Sequence, residues 1–232
     1  SGASLAPSRR GILGALGQSW PLIVRTLCLR ASILAEIAAA TSLGTVALAA
    51  NQIAMTVWQF AAYGLDSLAT AAQILVATAM GASEGRADAV REVLDRCLRF
   101  GVVTGAVLGT ALAAASFALP SAMGAEAGVG GLATLSLIVA ACCLPVASVA
   151  YILDGVLIGA LDTRRLAWFM LASLATFAPV AWALGRAHAV WPGVPTSLLF
   201  AALWTAYAGL FMATRAVTML IRARSGRPFE KP

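Results

Sequence analysis

The sequence predicts an all-α, polytopic membrane protein, a bundle of six transmembrane helices. Of its 232 residues, 60% are hydrophobic and only 11% are charged, whereas a soluble domain carries about 25% charged residues. The mean hydropathy of +0.87 agrees with a polytopic membrane protein. The chain contains six apolar stretches. Each is at least as long as the roughly 20 residues that one crossing of a bilayer requires.

The six predicted spans follow one another with short loops. In chain order they are Trp20–Leu43, Val46–Met80, Val93–Leu119, Gly131–Ile158, Leu166–Gly185 and Ser197–Ile221. The predicted domains are therefore a cytoplasmic linker at 1–19, the bundle at 20–222 and a cytoplasmic tail at 223–232. Because the chain starts at Ser1 with a linker-like segment, we expect it to be a piece of a longer protein.

Loop charges alternate between the two sides of the predicted bundle. Arg186 lies in an outer loop, while the other loop and tail Lys and Arg residues fall on the opposite side. Since Lys and Arg accumulate in cytoplasmic loops, both termini are predicted to be cytoplasmic. The Ala- and Arg-rich composition suggests a bacterial cell (inner) membrane. The net charge of +6 is spread over loops rather than one polar face, so nucleic acid is not an expected partner.

Individual spans have features of their own. Arg25 and Arg30 fall in the first third of span one, so either their side chains snorkel to the cytoplasmic face or the span begins later in the sequence. The same two explanations, snorkelling or a shifted span boundary, apply to Arg215 in span six. Span two is longer than a simple crossing and must tilt, bend or project, with Gly64 as a candidate bend. Pro145 is expected to kink span four and free a backbone carbonyl.

Three acidic residues lie inside apolar spans. Asp66 is in the middle of span two, Asp154 is in span four and Glu36 is in span one. A carboxylate at bilayer depth costs about 3 kcal/mol on insertion scales, and it usually faces a bundle interior or a wet cavity. We therefore predict that these three residues bind a proton or a cation, although Glu36 could instead pair with an arginine.

A polar stripe surrounds Asp66. Side chains seven residues apart lie on one face of a helix, and residues three or four away join that face. This spacing predicts the wall of a water-accessible cavity; the alternative is hydrogen-bonding contact between packed helices. The predicted substrate-cavity residues are Gln52, Gln59, Tyr63, Thr70 and Gln73 on span two and Tyr151, one turn before Asp154, on span four.

The four cysteines show no metal-binding pattern. Cys28, Cys97, Cys142 and Cys143 lie in or beside apolar segments, without Cys-x-x-Cys or Cys/His spacing. We interpret them as small core residues. We expect no metal site and no cofactor other than a coupling H⁺ or Na⁺.

Two runs of sequence resemble a known family. The runs are ALAANQIAMTVWQFAAYGLDSLATAAQILVATAMGA and LPVASVAYILDGVLIGALDTRR, and they resemble the multidrug and toxic compound extrusion (MATE) transporters of the DinF-like branch. The resemblance implies the C-terminal six-helix lobe of a twelve-helix antiporter, not an enzyme, that exports organic, often cationic compounds in exchange for H⁺ or Na⁺. It also implies cation binding at Asp66 and Asp154, with Glu36 as a third candidate.

The expected partners are a small organic substrate, the lipid bilayer, and either an N-terminal lobe or a second copy of the chain. Other functions stay open at this point. The chain could be an inactive partner lobe or remnant, or a flippase of lipid-linked substrates from the same superfamily. An intramembrane aspartyl protease also uses two Asp residues on separate spans, but its Gly-x-Gly-Asp element is replaced here by Tyr-Ile-Leu before Asp154.

Overall fold

A computed structural model describes residues 9–82, 87–190 and 192–229. Every regular element within these ranges is a helix, so the predicted all-α class is confirmed. Parts of the predicted linker and tail, 1–8 and 230–232, lie outside the described residues. The elements in chain order are α1 (Arg9–Ser42), α2 (Thr45–Ala82), α3 (Ala87–Ala115), the short α4 (Leu119–Ala122), α5 (Ala127–Gly159), α6 (Thr163–Val190), α7 (Thr196–Trp204), a π-helical segment (Thr205–Phe211), α8 (Met212–Arg224) and a 3₁₀ turn (Arg227–Phe229).

Five of the six predicted spans coincide with helices that are long and apolar enough to cross a membrane: α2, α3, α5, α6 and the continuous final span 196–224. The first predicted span coincides with α1, a helix of 34 residues that is not one of the five. α1 carries five charged residues, Arg9 and Arg10 in its first turn and Arg25, Arg30 and Glu36 further along. It nevertheless packs along α6 and contacts α2, so it belongs to the bundle.

Helix α5 is the centre of the bundle, packed against α2 on one side and α3 on the other. Close approach to α2 depends on glycine, because a Cβ atom at Gly155 would overlap the carbonyl oxygen of Ala69. One turn later, a Cβ atom at Gly159 would lie 2.5 Å from the carbonyl oxygen of Gln73. This Gly-x-x-x-Gly pair brings the two helix backbones into contact, as small residues do in membrane bundles.

The contact between α3 and α5 uses the same device at Gly101, Gly105 and Gly109. A Cβ atom at Gly109 would lie 2.5 Å from the carbonyl oxygen of Ala141. That carbonyl is four residues before Pro145, which has no N–H to bond it. The predicted free carbonyl is therefore covered by the backbone of α3, where a Cα–H contact can partly satisfy it.

The final span changes its winding in the middle. Between α7 and α8 the chain forms a π-helix. π-Helices are rare in proteins overall, and those that occur often lie at functional sites. This segment carries Tyr207 and Phe211, both buried and stacked 6.1 Å apart. Trp58 of α2 and Phe177 of α6 pack edgewise or tilted against Tyr207. An aromatic core thus joins α2, α6 and the final span.

Candidate substrate and ion site

A polar cleft of about 200 Å³ opens between α1 and α2. Arg25 and Arg30 lie on its α1 side, and Asp66 with Tyr63 lies on its α2 side. Charged and phenolic groups therefore face each other across a groove in a bundle that is otherwise apolar. The remaining lining residues are Thr26, Leu29, Ile33, Trp58, Gln59, Ala62, Tyr151, Tyr207 and Met212.

Beneath the cleft, Asp154 is bound by two guanidinium groups. Nη2 of Arg25 donates to its Oδ2 atom at 2.6 Å, and Nη2 of Arg215 donates to the same atom at 2.5 Å. The carboxylate is 1% exposed. Within the described residues, its Oδ1 atom has no hydrogen-bond partner. Charge-assisted hydrogen bonds of this kind offset part of the cost of burying charged groups in a low-dielectric interior.

The two arginines are held differently. The Arg215 side chain is 1% exposed, and its guanidinium lies 5.4 Å from the ring of Tyr151 and 5.6 Å from the ring of Phe211. Its Nη1 atom also donates to Sδ of Met212 at 3.2 Å. The Arg25 side chain is 19% exposed and lines the cleft. Arg215 is thus enclosed, whereas Arg25 borders open space.

Arg25 and Arg215 do not snorkel to the cytoplasmic face, which was one of the two alternatives for each of them. Both point to Asp154 in the interior of the bundle. An ion pair with hydrogen bonds can offset part of the cost of burying charge, and three helices, α1, α5 and α8, supply it here. The sequence places each arginine on its helix, but it does not say which helix lies opposite.

Asp66 stays in the cleft rather than joining the buried group. Its side chain is exposed, and it lies within electrostatic range of Arg25, Asp154 and Arg215. The hydroxyl of Thr70 donates to the backbone carbonyl of Asp66 at 2.9 Å, so it does not need the carboxylate. The Asp66 carboxylate is available to a ligand that enters the cleft.

Glu36 forms a second, separate polar site. Its Oε2 atom accepts a hydrogen bond from Nδ2 of Asn51 at 2.9 Å, and Oδ1 of Asn51 accepts one from Nε1 of Trp204 at 3.0 Å. All three residues are fully buried, and Oε1 of Glu36 has no partner among the described residues. Glu36 was expected either as a buried acid or as the partner of an arginine; the structure gives it an amide partner.

The structure brings together four of the predicted site residues in the cleft, and the others lie elsewhere. Gln59, Tyr63, Asp66 and Tyr151 line it, whereas Asp154 is below it and Glu36 lies outside its lining. Gln52 and Thr70 are exposed on α2 outside the cleft lining. Gln73 is partly buried with its backbone against Gly159.

Sequence reasoning missed the partners of the acids, which come from other helices. Arg25, Arg215 and Trp204 carry no local pattern that links them to Asp154 or Glu36. The Gly-x-x-x-Gly spacing on α3 and α5 was a usable signal, because it marks where backbones approach in membrane bundles. Among the described residues, no group of three or more His, Cys, Asp or Glu side chains could hold a metal ion.

Comparison with known proteins decides the family. The MatE family model matches residues 21–183, which include Asp154 and most of the residues that line the cleft. The chain belongs to the MatE family. This MatE chain is 27% identical over 205 residues to Protein DETOXIFICATION 43 of Arabidopsis thaliana, covering 88% of the chain and 36% of that relative.

Two other Arabidopsis thaliana proteins are similar to this MatE chain. Protein DETOXIFICATION 45, chloroplastic, is 31% identical over 135 residues, covering 56% of the chain and 24% of the relative. Protein DETOXIFICATION 44, chloroplastic, is 31% identical over 150 residues, covering 65% of the chain and 28% of the relative. The chain thus spans about a quarter to a third of the length of these relatives. No solved structure matches it at a significant level.

Proposed function

We propose that this MatE chain forms one lobe of a secondary antiporter that exports small organic compounds, often cationic, in exchange for H⁺ or Na⁺. The observation that carries this proposal is the cleft between α1 and α2. An exposed carboxylate, Asp66, lies there close to a buried one, Asp154, that is paired with arginine, within a membrane bundle. Charged side chains at membrane depth usually mark a pathway for ions or substrate.

The exposed polar face of α2 supports a lobe that needs a facing partner. Gln52, Gln59, Tyr63 and Asp66 are exposed along this face. Polar groups facing lipid would be costly, so the face requires water or protein beside it. We assign that position to a second six-helix unit, either an N-terminal lobe or a second copy of this chain. The similarity of the chain to only part of longer relatives agrees with the first choice.

The acids divide the chemistry between two sites. Glu36 is hydrogen-bonded only to the neutral amide of Asn51, and its second oxygen is free among the described residues. Such a carboxyl can take up and release a proton without breaking an ion pair. Asp66 can meet a positively charged cargo or Na⁺ in the cleft. We therefore assign proton binding to Glu36 and cation binding to the two acids at the cleft, the exposed Asp66 and the buried Asp154.

The aspartyl protease alternative has less support than transport. A protease dyad requires two carboxylates that share one proton. Oδ2 of Asp154 instead accepts hydrogen bonds from Arg25 and Arg215. A flippase would use the same transport mechanism and would differ from a drug antiporter in its substrate, a lipid-linked compound. We place the protein in the DinF-like branch and in a bacterial inner membrane, with both termini cytoplasmic.

Uptake into liposomes tests the function. The protein is reconstituted, and uptake of a fluorescent organic cation is followed under an imposed pH gradient or an imposed Na⁺ gradient. Asp66→Asn is expected to remove gradient-driven uptake while membrane insertion is unchanged. Asp95→Asn, an exposed acid on α3, is the matched control.

Gradient-driven uptake in the wild type that is lost only in Asp66→Asn supports the proposal and identifies the coupling ion. Wild-type uptake by Asp66→Asn removes Asp66 from the mechanism. Absence of uptake by well-inserted wild-type chain, restored by adding an N-terminal lobe, supports a lobe that works only with its partner. Absence of uptake in both arrangements favours the inactive remnant.

A further inference from the structure

We propose that the guanidinium of Arg25 is an exchangeable internal cation that occupies, on Asp154, the place of a transported monovalent cation. The inference rests on the proposed function and adds a specificity-determining residue to it. It starts from the charge balance beneath the cleft. Two guanidinium groups bind one carboxylate oxygen of Asp154, which leaves this buried group with one excess positive charge.

The two arginines are not equivalent, and the difference says which one can leave. Arg215 is enclosed by two aromatic rings and by Met212, and its side chain is 1% exposed. Among the described residues, Asp154 is the only hydrogen-bond partner of the Arg25 side chain. Arg25 also borders the cleft, so its guanidinium can move without disturbing the core.

Asp66 supplies a second position for the Arg25 guanidinium. It is exposed in the same cleft and lies within electrostatic range of Arg25. Movement of Arg25 from Asp154 toward Asp66 would leave Asp154 paired one-to-one with Arg215. A monovalent cation entering behind it would restore the original charge at Asp154. The exchange is neutral in charge, so no additional net charge is buried in the bundle.

This arrangement makes Arg25 a competitor of the cation. Removing the competitor should tighten cation binding far more than removing another cleft arginine, which only takes away a repulsive charge. Arg30 is the matched control because it lines the same cleft from the same helix, and the structure gives it no ion pair with Asp154. Asp66 then has an indirect role, which is to receive Arg25.

The test measures binding to purified protein of two probes, ethidium by its fluorescence and Na⁺ by its competition with ethidium. Arg25→Gln is expected to bind at least one probe roughly tenfold or more tightly than wild type, because a charge-assisted hydrogen bond no longer competes. Arg30→Gln removes the same charge from the cleft but frees no position on Asp154, so its gain is expected to be several-fold smaller, at most about threefold. Equal gains in the two variants would mean that only the charge of the cleft matters and would overturn the proposal. If affinity rises for ethidium alone, the position that Arg25 occupies on Asp154 belongs to organic cargo. If affinity rises for Na⁺, that position belongs to the coupling ion.

A double-variant cycle separates an indirect role of Asp66 from direct binding. Asp66→Asn is expected to weaken cation binding when Arg25 is present and to have no effect in the Arg25→Gln background. Equal weakening in both backgrounds means that the cation binds Asp66 itself and overturns the proposal. Unchanged or weaker binding by Arg25→Gln also overturns it.

A charge-conserving variant covers the case in which Arg25→Gln does not fold. Lys is a compact point charge on a flexible stem and cannot present the guanidinium fork. The ammonium group in Arg25→Lys should therefore dissociate from Asp154 more easily than the guanidinium does, and the cation affinity of this variant should lie between those of wild type and Arg25→Gln. Wild-type affinity in folded Arg25→Lys overturns the proposal in that case. If wild type binds the probes and exports them but Arg25 variants show no gain, only this inference fails. If no variant binds either probe, the cation-export function fails with it.

Discussion

Arg215 and Asp154 lie 61 residues apart in the sequence, yet their side chains meet at 2.5 Å with neither accessible to solvent. The pair joins α8 to the centre of α5. A second pair between the same parts of the chain, Arg222 with Asp162 at 2.6 Å, is partly exposed near the ends of these helices. The two pairs offer a direct comparison of a buried and a partly exposed ion pair.

We predict that Asp154→Asn lowers the stability of the protein far more than Asp162→Asn. The first change leaves two guanidinium groups in the interior without a counter-charge, which costs about 3–5 kcal/mol. The second affects a pair that water can still reach, so the loss should be smaller, about 1–2 kcal/mol. Thermal unfolding in detergent measures both. Adding Arg215→Met to Asp154→Asn should recover part of the loss; equal unfolding temperatures for the two Asn variants would contradict the prediction.

Glu36→Gln is expected to keep the fold and to remove proton coupling. A Gln carbonyl can still accept the hydrogen bond from Asn51, so the unfolding temperature should change little. The amide cannot exchange a proton. Substrate-induced proton release, followed with a pH-sensitive dye, should therefore disappear in this variant.

The control for that experiment is Asn51→Leu, which leaves Glu36 and the indole N–H of Trp204 without partners. Loss of these hydrogen bonds should cost about 1–3 kcal/mol for each buried group left unsatisfied. Normal proton release in Glu36→Gln would transfer the coupling role to another acid.

Gly155→Ala tests the backbone contact between α5 and α2. The added methyl group would overlap the carbonyl oxygen of Ala69, which is backbone and cannot rotate away. Overpacking of this kind costs about 1–3 kcal/mol. Gly131→Ala, on the same helix with open space around it, is the matched control and should be neutral or slightly stabilising in thermal unfolding. Equal effects of the two substitutions would show that the contact is not tight.

Cysteine labelling tests the predicted orientation. Single cysteines are introduced at Gly193, in the loop before α7, and at Arg164, at the start of α6, in a chain whose four native cysteines have been replaced. An impermeant maleimide added to intact cells should label position 193 and reach position 164 only after the cells are opened. The opposite pattern would place both termini outside.

The sequence predicted the helices and located the acids, because hydrophobic runs and helical spacing are local properties. Asp66, Tyr63 and Gln59 were placed on one face of span two, and the cleft lies on that face. The pairing of Asp154 could not be predicted in this way. Its partners are 129 and 61 residues away, and helical periodicity says which face a residue occupies but not which helix lies opposite.

Glu36 illustrates the same limit at shorter range. Its partner Asn51 is only 15 residues away, but the two residues belong to different helices, and Trp204 comes from the far end of the chain. Helical spacing alone would put Asn51 beside the polar stripe of span two. Contact with α1 and α7 instead encloses it. Tertiary packing, rather than any local preference, separates the two polar sites.

The glycine contacts of α5 have a mechanical consequence. Because α2 and α3 both touch α5 through backbone atoms, sliding between these three helices would meet steric resistance at every turn of contact. They should move as one body that carries Asp66 and Asp154 together. Deformation in a transport cycle would then be concentrated in α1, α6 and the final span, whose π-helical segment is already a departure from regular winding. Arg25 lies on one of the moving parts, and the distance between its guanidinium and the Asp154 carboxylate would report the state of the cycle.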